Sequence, residues 1–433
     1  MIKRSPSLRH SVVLVVLAVN IFTLVACSSS TGSTAMAPTL EPGDRGTSSG
    51  PITVDDPACS TSTCANEITG INDGDGIVGN YTQCSGSSCN SQNWNCIPHS
   101  STTGSGCRPC PLLGGVNKWH SYTSSYNGGY SSFTDTQFPD APQGQYLYAI
   151  SDALITHLSA VVRPSVPETM EVGCINPFAG NDPGGGEENG YWALQDNNGL
   201  WGVHDQGSAS GCAIPKKVYD ETEELLGYDL TNATPTAVGF YSAQDCTFKA
   251  GEIQAGGDWN GIPVHLTPFS QNVMATGITG STATTTGSIV GIATATTGTP
   301  NQEGWYIPSG TGTGFRSAQG YYVTGSSATA FTGIATVNGV VTIVGWYTTP
   351  ASAGHPASTH GLVATPSTGG FSVSPPIDVG VGLTMINGVN MHGDICGWYT
   401  DSSGKYHGFV WLGKAATALR KRHRHGSRAK TQR

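Results

Sequence analysis

The chain has 433 residues, of which 59 are Gly, 25 are Pro and only 11% are charged, against roughly 25% charged in an ordinary soluble domain. So much turn chemistry excludes coiled coils and helical bundles. Of the 20 Lys and Arg, eight lie from Lys414 onward and three (Lys3, Arg4, Arg9) near the start. Residues 28–413 therefore carry nine basic side chains against all 29 acidic ones. An acidic body excludes a nucleic-acid-binding core, because phosphate contacts need a positive surface.

Residues 1–10 are basic, and Val12 to Ala26 is an almost unbroken apolar run of 15 residues. That is the layout of a secretory signal, and it is shorter than the roughly 20 residues a spanning helix needs. Leu24-Val25-Ala26-Cys27 resembles the lipobox of bacterial lipoproteins. The resemblance implies removal of residues 1–26, acyl chains such as palmitate on Cys27, and a lipid-anchored protein. Ser28 after the cysteine points to the outer membrane. Several acyl chains at about 0.8 kcal/mol per buried CH₂ make a durable anchor. The Ser, Thr, Gly and Pro of residues 27–50 cannot bury a core and read as a flexible tether.

Export makes disulfides the expected state of the 11 remaining cysteines. Seven of them (Cys59, Cys64, Cys84, Cys89, Cys96, Cys107 and Cys110) crowd into about 50 residues, and Cys174, Cys212 and Cys246 follow. A zinc site drawn from Cys84, Cys89, His99, Cys107 and Cys110 is the competing reading, but its spacing is irregular. Connectivity stays open. The odd count leaves one thiol unpaired, and Cys396, inside an apolar strand pattern, is the candidate.

A stretch ending in Gly and followed by an apolar or aromatic residue recurs at Gly79, Gly173, Gly239, Gly291, Gly345 and Gly397, at intervals of 94, 66, 52, 54 and 52. A second, Gly-led aromatic or apolar element follows at Gly190, Gly304, Gly361 and Gly408. Gly144 to Tyr148 is read as supplying it for the first copy, which makes about 84–140 an insertion there. The apolar stretches are four to six residues long and bounded by turn residues, so they read as strands. The last unit shows the plan: Leu383 to Val389, Asp394 to Tyr399, His407 to Leu412. Phe371 to Val373 adds a fourth strand to the unit before. Six copies of about four strands predict an all-β chain, a six-bladed β-propeller over 51–413; a β-solenoid, whose coils are usually shorter, is the alternative. Ile52-Thr53-Val54-Asp55 has no unit of its own, so it is expected to complete the last blade.

Thr69 to Tyr81, Ile386 to Tyr399 and His407-Gly408-Phe409 resemble the bacterial extracellular repeats called HAF. The first and last copies match well; the second and third depart. The resemblance implies an exported repeat protein and brings no catalytic residues with it. The repeat glycines are read as tight-turn residues, the aromatics as packing between blades, and His360 and His407 as structural.

Neither an H-E-x-x-H pair nor a P-loop occurs, and nothing implies a cofactor. Asp73-Gly74-Asp75-Gly76 lacks the closing acid of a calcium loop and reads as a repeat turn. Asp182 with Glu187 and Glu188, and Asp220 to Glu224, are the stretches able to pair carboxylates for glycoside chemistry. Only Arg45, Arg108, Arg163 and Arg316 lie in the body, too few to promise a cluster for an anionic sugar. Residues 414–433 form a basic, aperiodic tail, suited to anionic lipid or lipopolysaccharide phosphates. The expected function is a lipid-anchored binding or adhesion module with a glycan or protein ligand. An envelope polysaccharide hydrolase or lyase, and a structural envelope protein, are the other readings.

Overall fold

A computed structural model describes residues 50–59, 64–82, 119–135, 145–150, 170–175, 189–195, 201–205, 223–229, 236–242, 248–254, 260–266, 272–280, 285–294, 300–311, 317–352 and 356–415. They form an all-β structure. The first sheet runs β2 (Ala65–Ile71), β3 (Gly76–Thr82), β4 (Trp119–Ser125), β5 (Phe133–Asp135), and the second β6 (Gln145–Ile150), β7 (Met170–Ile175), β8 (Asn189–Gln195), β9 (Trp201–Asp205). The third is β10 (Glu223–Asp229), β11 (Thr236–Ser242), β12 (Phe248–Gln254), β13 (Asn260–Gly261). The fourth is β14 (Asn272–Thr279), β16 (Ser288–Thr294), β17 (Gln302–Ile307), β19 (Gln319–Tyr321), with β15 (Thr285–Thr286) and β18 (Gly310–Thr311) paired beside it. The fifth is β20 (Ala328–Val337), β21 (Val340–Thr349), β22 (Ser358–Ser367), β23 (Gly370–Val373). The last joins β24 (Thr384–Val389), β25 (Ile395–Thr400) and β26 (Tyr406–Trp411) to β1 (Ile52–Val54).

Within every sheet consecutive strands are antiparallel; one parallel bridge, Gln302 to Ala328, links the fourth sheet to the fifth. The first strand of each sheet packs on the sheet before it, and β2 packs on β24, β25 and β26. The expected pairing of the Ile52 segment is observed, Thr53 standing opposite Phe409. One strand assignment is corrected. Gln145–Ile150 opens the second sheet, whereas Trp119–Ser125 and Phe133–Asp135, placed by the sequence inside an insertion, are the third and fourth strands of the first.

The repeat has a local physical cause. In all six first strands the register slips by one residue, leaving Thr69, Tyr148, Leu226, Thr276, Thr332 and Asn387 as bulges. Opposite each bulge the second strand carries the repeat glycine. A Cβ on Gly291, Gly345 or Gly397 would lie 2.0, 1.9 or 2.0 Å from the carbonyl oxygen of Met274, Ala330 or Met385. Close backbone approach in mid-strand, rather than a tight turn, is what excludes other residues there.

Three of the bulged side chains reach the next sheet. Thr276 Oγ1 donates to Phe331 O at 2.6 Å, Thr332 Oγ1 to Ile386 O at 2.6 Å, and Asn387 Nδ2 to Ile68 O at 2.9 Å. The last of these runs from the final sheet to the first. Apolar side chains fill the same junctions: Phe331 packs with Val290, Ile343 and Leu362, and Val54 with Ile68, Ile77, Cys396 and Val410.

Cys59 and Cys64 form a disulfide with Cα atoms 5.3 Å apart. Cys396 is a free, fully buried thiol whose pKa burial pushes far up, so it stays protonated and inert. Cys84, Cys89, Cys96, Cys107, Cys110, Cys212 and Cys246 lie outside the described residues, as do the side chain of Cys174, the Cys27 segment and the basic tail from 416 onward.

Candidate functional site

The start of β17, the end of β21 and the starts of β20, β22 and β24 meet at one end of three successive sheets. A cleft of about 440 Å³ opens there, within the usual range for small-molecule sites. Asn301 and Gln302 come from the fourth sheet, Ser327, Ala328, Trp346, Thr348, Ala357 and Thr359 from the fifth, Leu383 and Met385 from the last. All are uncharged.

Local hydrogen bonds hold the polar wall. Asn301 N donates to Ser327 O at 3.1 Å, Ser327 N to Thr348 O at 2.8 Å, and the Thr348 and Thr359 hydroxyls lie 3.0 Å apart. Trp346 and Met385 form the apolar side and belong to a cluster with Ala330, Ile292, Met274 and Trp398. Two donors of the lining have no hydrogen-bond partner: the indole Nε1 of Trp346 and the amide Nε2 of Gln302. Both atoms are buried with essentially no accessible surface, and a buried donor left unpaired costs roughly 1–3 kcal/mol.

A second constellation lies on β22. Ser358 Oγ is 2.7 Å from His360 Nε2, and His360 Nδ1 is 2.6 Å from Asp378 Oδ1, the order of contacts in a serine-hydrolase relay. Its counterpart in the last sheet explains it otherwise. There His407 Nδ1 lies 2.6 Å from Asp55 Oδ2, with Asp401 rather than a serine at Nε2, 3.4 Å away. Asp401 accepts from Ser403 and the Lys405 amide, which holds its carboxyl well below the usual range. In both sheets the His–Asp pair clamps an outer segment: Ile377 bridges to Gly361 as Val54 pairs with Gly408. Each histidine is also paired across the ladder with a repeat tyrosine, His360 with Tyr347 and His407 with Tyr399, and His120 with Tyr81 repeats this in the first sheet. Ser358 shares its hydroxyl with Thr349 Oγ1 at 2.7 Å. The histidines fasten strands, as their recurrence in the sequence indicates.

The Asp73 loop is a repeat turn that interlocks with its counterpart in the last sheet. Gly76 N donates to Asn72 Oδ1 at 2.7 Å, and Asp394 N to Asn390 Oδ1 at 3.0 Å, while Asp75 takes a left-handed φ of 59° where the other turn has Gly393. Asn390 Nδ2 donates to Asn72 O at 3.0 Å and Met391 N to Asp73 Oδ1 at 2.7 Å. These carboxylates are engaged in joining two sheets. Among the other acids, Asp182, Glu187, Glu188, Asp220 and Glu221 lie outside the described residues. Glu223 and Glu224 fall in β10, whose side chains are likewise not described.

The cleft itself was not marked by sequence. Trp346 occupies the position after the repeat glycine, which runs Asn80, Cys174, Phe240, Ile292, Trp346 and Trp398 through the six copies. That variation inside an otherwise constant frame is the signal that could have pointed there. Gln302 and Asn301 carry none, since they enter the site only through the bridge that draws two sheets together.

No family model matches the chain, and no curated protein matches it. Among solved structures it is similar to AofleA from Arthrobotrys oligospora, at 11% identity over 70% of this chain and 82% of that one, with a TM-score of 0.38. It is also similar to Trypanosoma rangeli sialidase in complex with 2,3-difluorosialic acid, at 8% identity over 88% of this chain, with a TM-score of 0.46. A structure described as a glycoside hydrolase matches at 9% identity over 59% of this chain and 86% of that one, TM-score 0.32. The chain spans 59% of the length of the sialidase.

Proposed function

We propose that the chain is a lipid-anchored envelope protein whose six four-stranded sheets are the blades of a β-propeller serving as a ligand-binding, adhesive module. The blade reading is supported by the repeated bulge and glycine, by the packing of β2 on the last sheet, and by β1, which completes that sheet from the start of the folded body. The anchor rests on Cys27 and its lipobox-like surroundings, with the outer membrane as destination and the basic tail as a second, electrostatic contact.

The observation that carries the binding role is the cleft, where apolar and neutral polar side chains of three sheets converge. A purely structural envelope protein has no use for such a site. The polysaccharide-active alternative requires two carboxyls facing each other across a groove, and the described residues lining the cleft include none.

The test is a glycan array probed with the full chain in detergent, with mass spectrometry of each spotted sugar afterwards. Binding without product is the expected result. Cleaved sugar overturns it in favour of a hydrolase or lyase, and silence on every spot favours the structural reading.

A further inference from the structure

We infer that the folded body stands on the membrane by the end that carries the Asp73 and Asn390 turns, so that the cleft opens away from the lipid. This rests on the anchor reading above and commits to one partner, a bilayer with anionic headgroups that also holds the Cys27 acyl chains. The strand registers carry the argument. Ile52 stands opposite Val410 and Trp411 opposite Ile395, so β1 starts where β26 finishes, beside the turn at 390–394. Both ways out of the body, from Ile52 back toward Cys27 and from Trp411 on to the basic run, therefore lie at that end. The cleft residues Leu383, Thr348 and Thr359 lie at the other, where β24 and β22 begin and β21 finishes.

The exit of the basic run is also fixed in place. Gly413 N donates to Asp394 Oδ1 at 2.6 Å and Ala415 N to Gly393 O at 2.9 Å, and Ala415 is fully buried. Lys414, between them, sets its ammonium 3.7 Å from the centre of the Trp411 ring. A pull on the cations of residues 420–428 is thus delivered to the Asn390 turn. The tether acts on the same end. Its 23 residues, 27–49, reach about 25 Å as a coil, so the basic run meets the headgroups at the effective concentration that a short linker sets. Charge points the same way. At the cleft end the side chains of Asp378, Asp401 and Asp55 are 48%, 37% and 27% exposed, and an anionic surface repels them. At the turn end Asp75 and Asp394 are buried and bonded into the junction.

Exposed apolar side chains are shared between the ends, Met391 and Val340 at the turn end, Tyr322 and Val381 at the cleft end. They are matched reporters for hydroxyl-radical footprinting. The full acylated chain is reconstituted on phosphatidylcholine vesicles with and without phosphatidylglycerol, and oxidation of the four residues is read by mass spectrometry. On the anionic vesicles Met391 and Val340 are expected to lose most of their oxidation while Tyr322 and Val381 keep theirs. The protection is expected to disappear at about 1 M salt, where the Debye length is about 3 Å. It is expected to disappear as well when Arg420→Gln, Lys421→Gln, Arg422→Gln, Arg424→Gln and Arg428→Gln are combined. The salt arm uses the unaltered chain, so the result does not hang on how the variant folds. Three results overturn the inference: Tyr322 and Val381 are protected instead, all four or none are protected, or the protection survives both salt and the substitutions. The mass of the N-terminal peptide separates the causes. A Cys27 without acyl chains removes the anchor reading and this inference with it, whereas any of the three results on acylated protein overturns the orientation and leaves the anchor standing.

Discussion

At the scale of single residues, the repeat frame and the exceptions to it separate cleanly. Glu303 is such an exception, a carboxyl only 6% exposed on β17, lying against Gly320, where a Cβ would come within 2.6 Å of its oxygen. Burial raises its pKa to about 7 from 4.5. Because the folded value is the higher one, its contribution to stability is fully present below the unfolded pKa. It is lost as pH rises through 7, where the buried charge must form. Glu303→Gln is therefore expected to stabilise the chain by roughly 1–2 kcal/mol at pH 8, less than the whole shift implies because water screens part of the charge. At pH 5 the gain is much smaller. Urea unfolding at the two pH values checks this, and an equal effect at both would show that Glu303 is ionised throughout. Nothing in the sequence marks Gln302, whose role comes from the bridge between sheets, or Glu303, which lies against Gly320 where β19 pairs with β17. Cys396 was legible, since an odd cysteine in an apolar strand leaves little else for it to be.

At the scale of the strand pair, the repeating unit is a bulge facing a glycine, and its sequence trace was visible while its geometry was not. The recurring Gly, at intervals of 52 to 54 residues over the last four copies, marks the second strand of each sheet, but only the register shows why no Cβ fits: at Gly291, Gly345 and Gly397 it would meet a carbonyl oxygen at about 2 Å. The bulge itself leaves no composition signal, being Thr, Tyr, Leu or Asn in different copies. For the same reason the third strand of the first sheet was misplaced, because Trp119–Ser125 lacks the Gly-led pattern that Gln145–Ile150 imitates. At Thr276, Thr332 and Asn387 the bulged donor links neighbouring sheets. Thr332→Val keeps the shape of the side chain and deletes the bond to Ile386 O. It is expected to destabilise the chain by about 1 kcal/mol, seen as a fall of a few degrees in melting temperature. A change within error would mean that water replaces the lost donor at the junction and that the bond contributes little.

At the scale of the whole folded body, what distinguishes the junction between the last and first sheets is that the peptide crosses it from β1 into β2 while β24–β26 come from the other end of the described body, and the structure concentrates fastenings there. β1 pairs with β26, Asn387 reaches Ile68 O, the Asn390 and Asn72 turns interlock, and Asp55 beyond β1 holds His407. Among the described residues, the junction from the fourth sheet to the fifth shows one bulge bond, the Gln302–Ala328 bridge and the bond from Asn301 N to Ser327 O, and that from the fifth to the last shows one bulge bond. Val54 is the residue common to both sides, 1% exposed and packed against Ile68 and Ile77 of the first sheet and Cys396 and Val410 of the last. Val54→Asp places an unpaired carboxylate in that contact, at a cost of about 3–5 kcal/mol. If the sheets close on one another as blades do, amide exchange should accelerate in β2 and in β24–β26 together, before β14–β17 and β20–β22 respond. If β1 were only an added edge strand, the acceleration would stop at β26, its sole ladder partner. The pattern of exchange thus separates a closed ring from a row of sheets. It does so independently of any ligand, because the junction it opens and the cleft among the fourth, fifth and last sheets draw on different side chains.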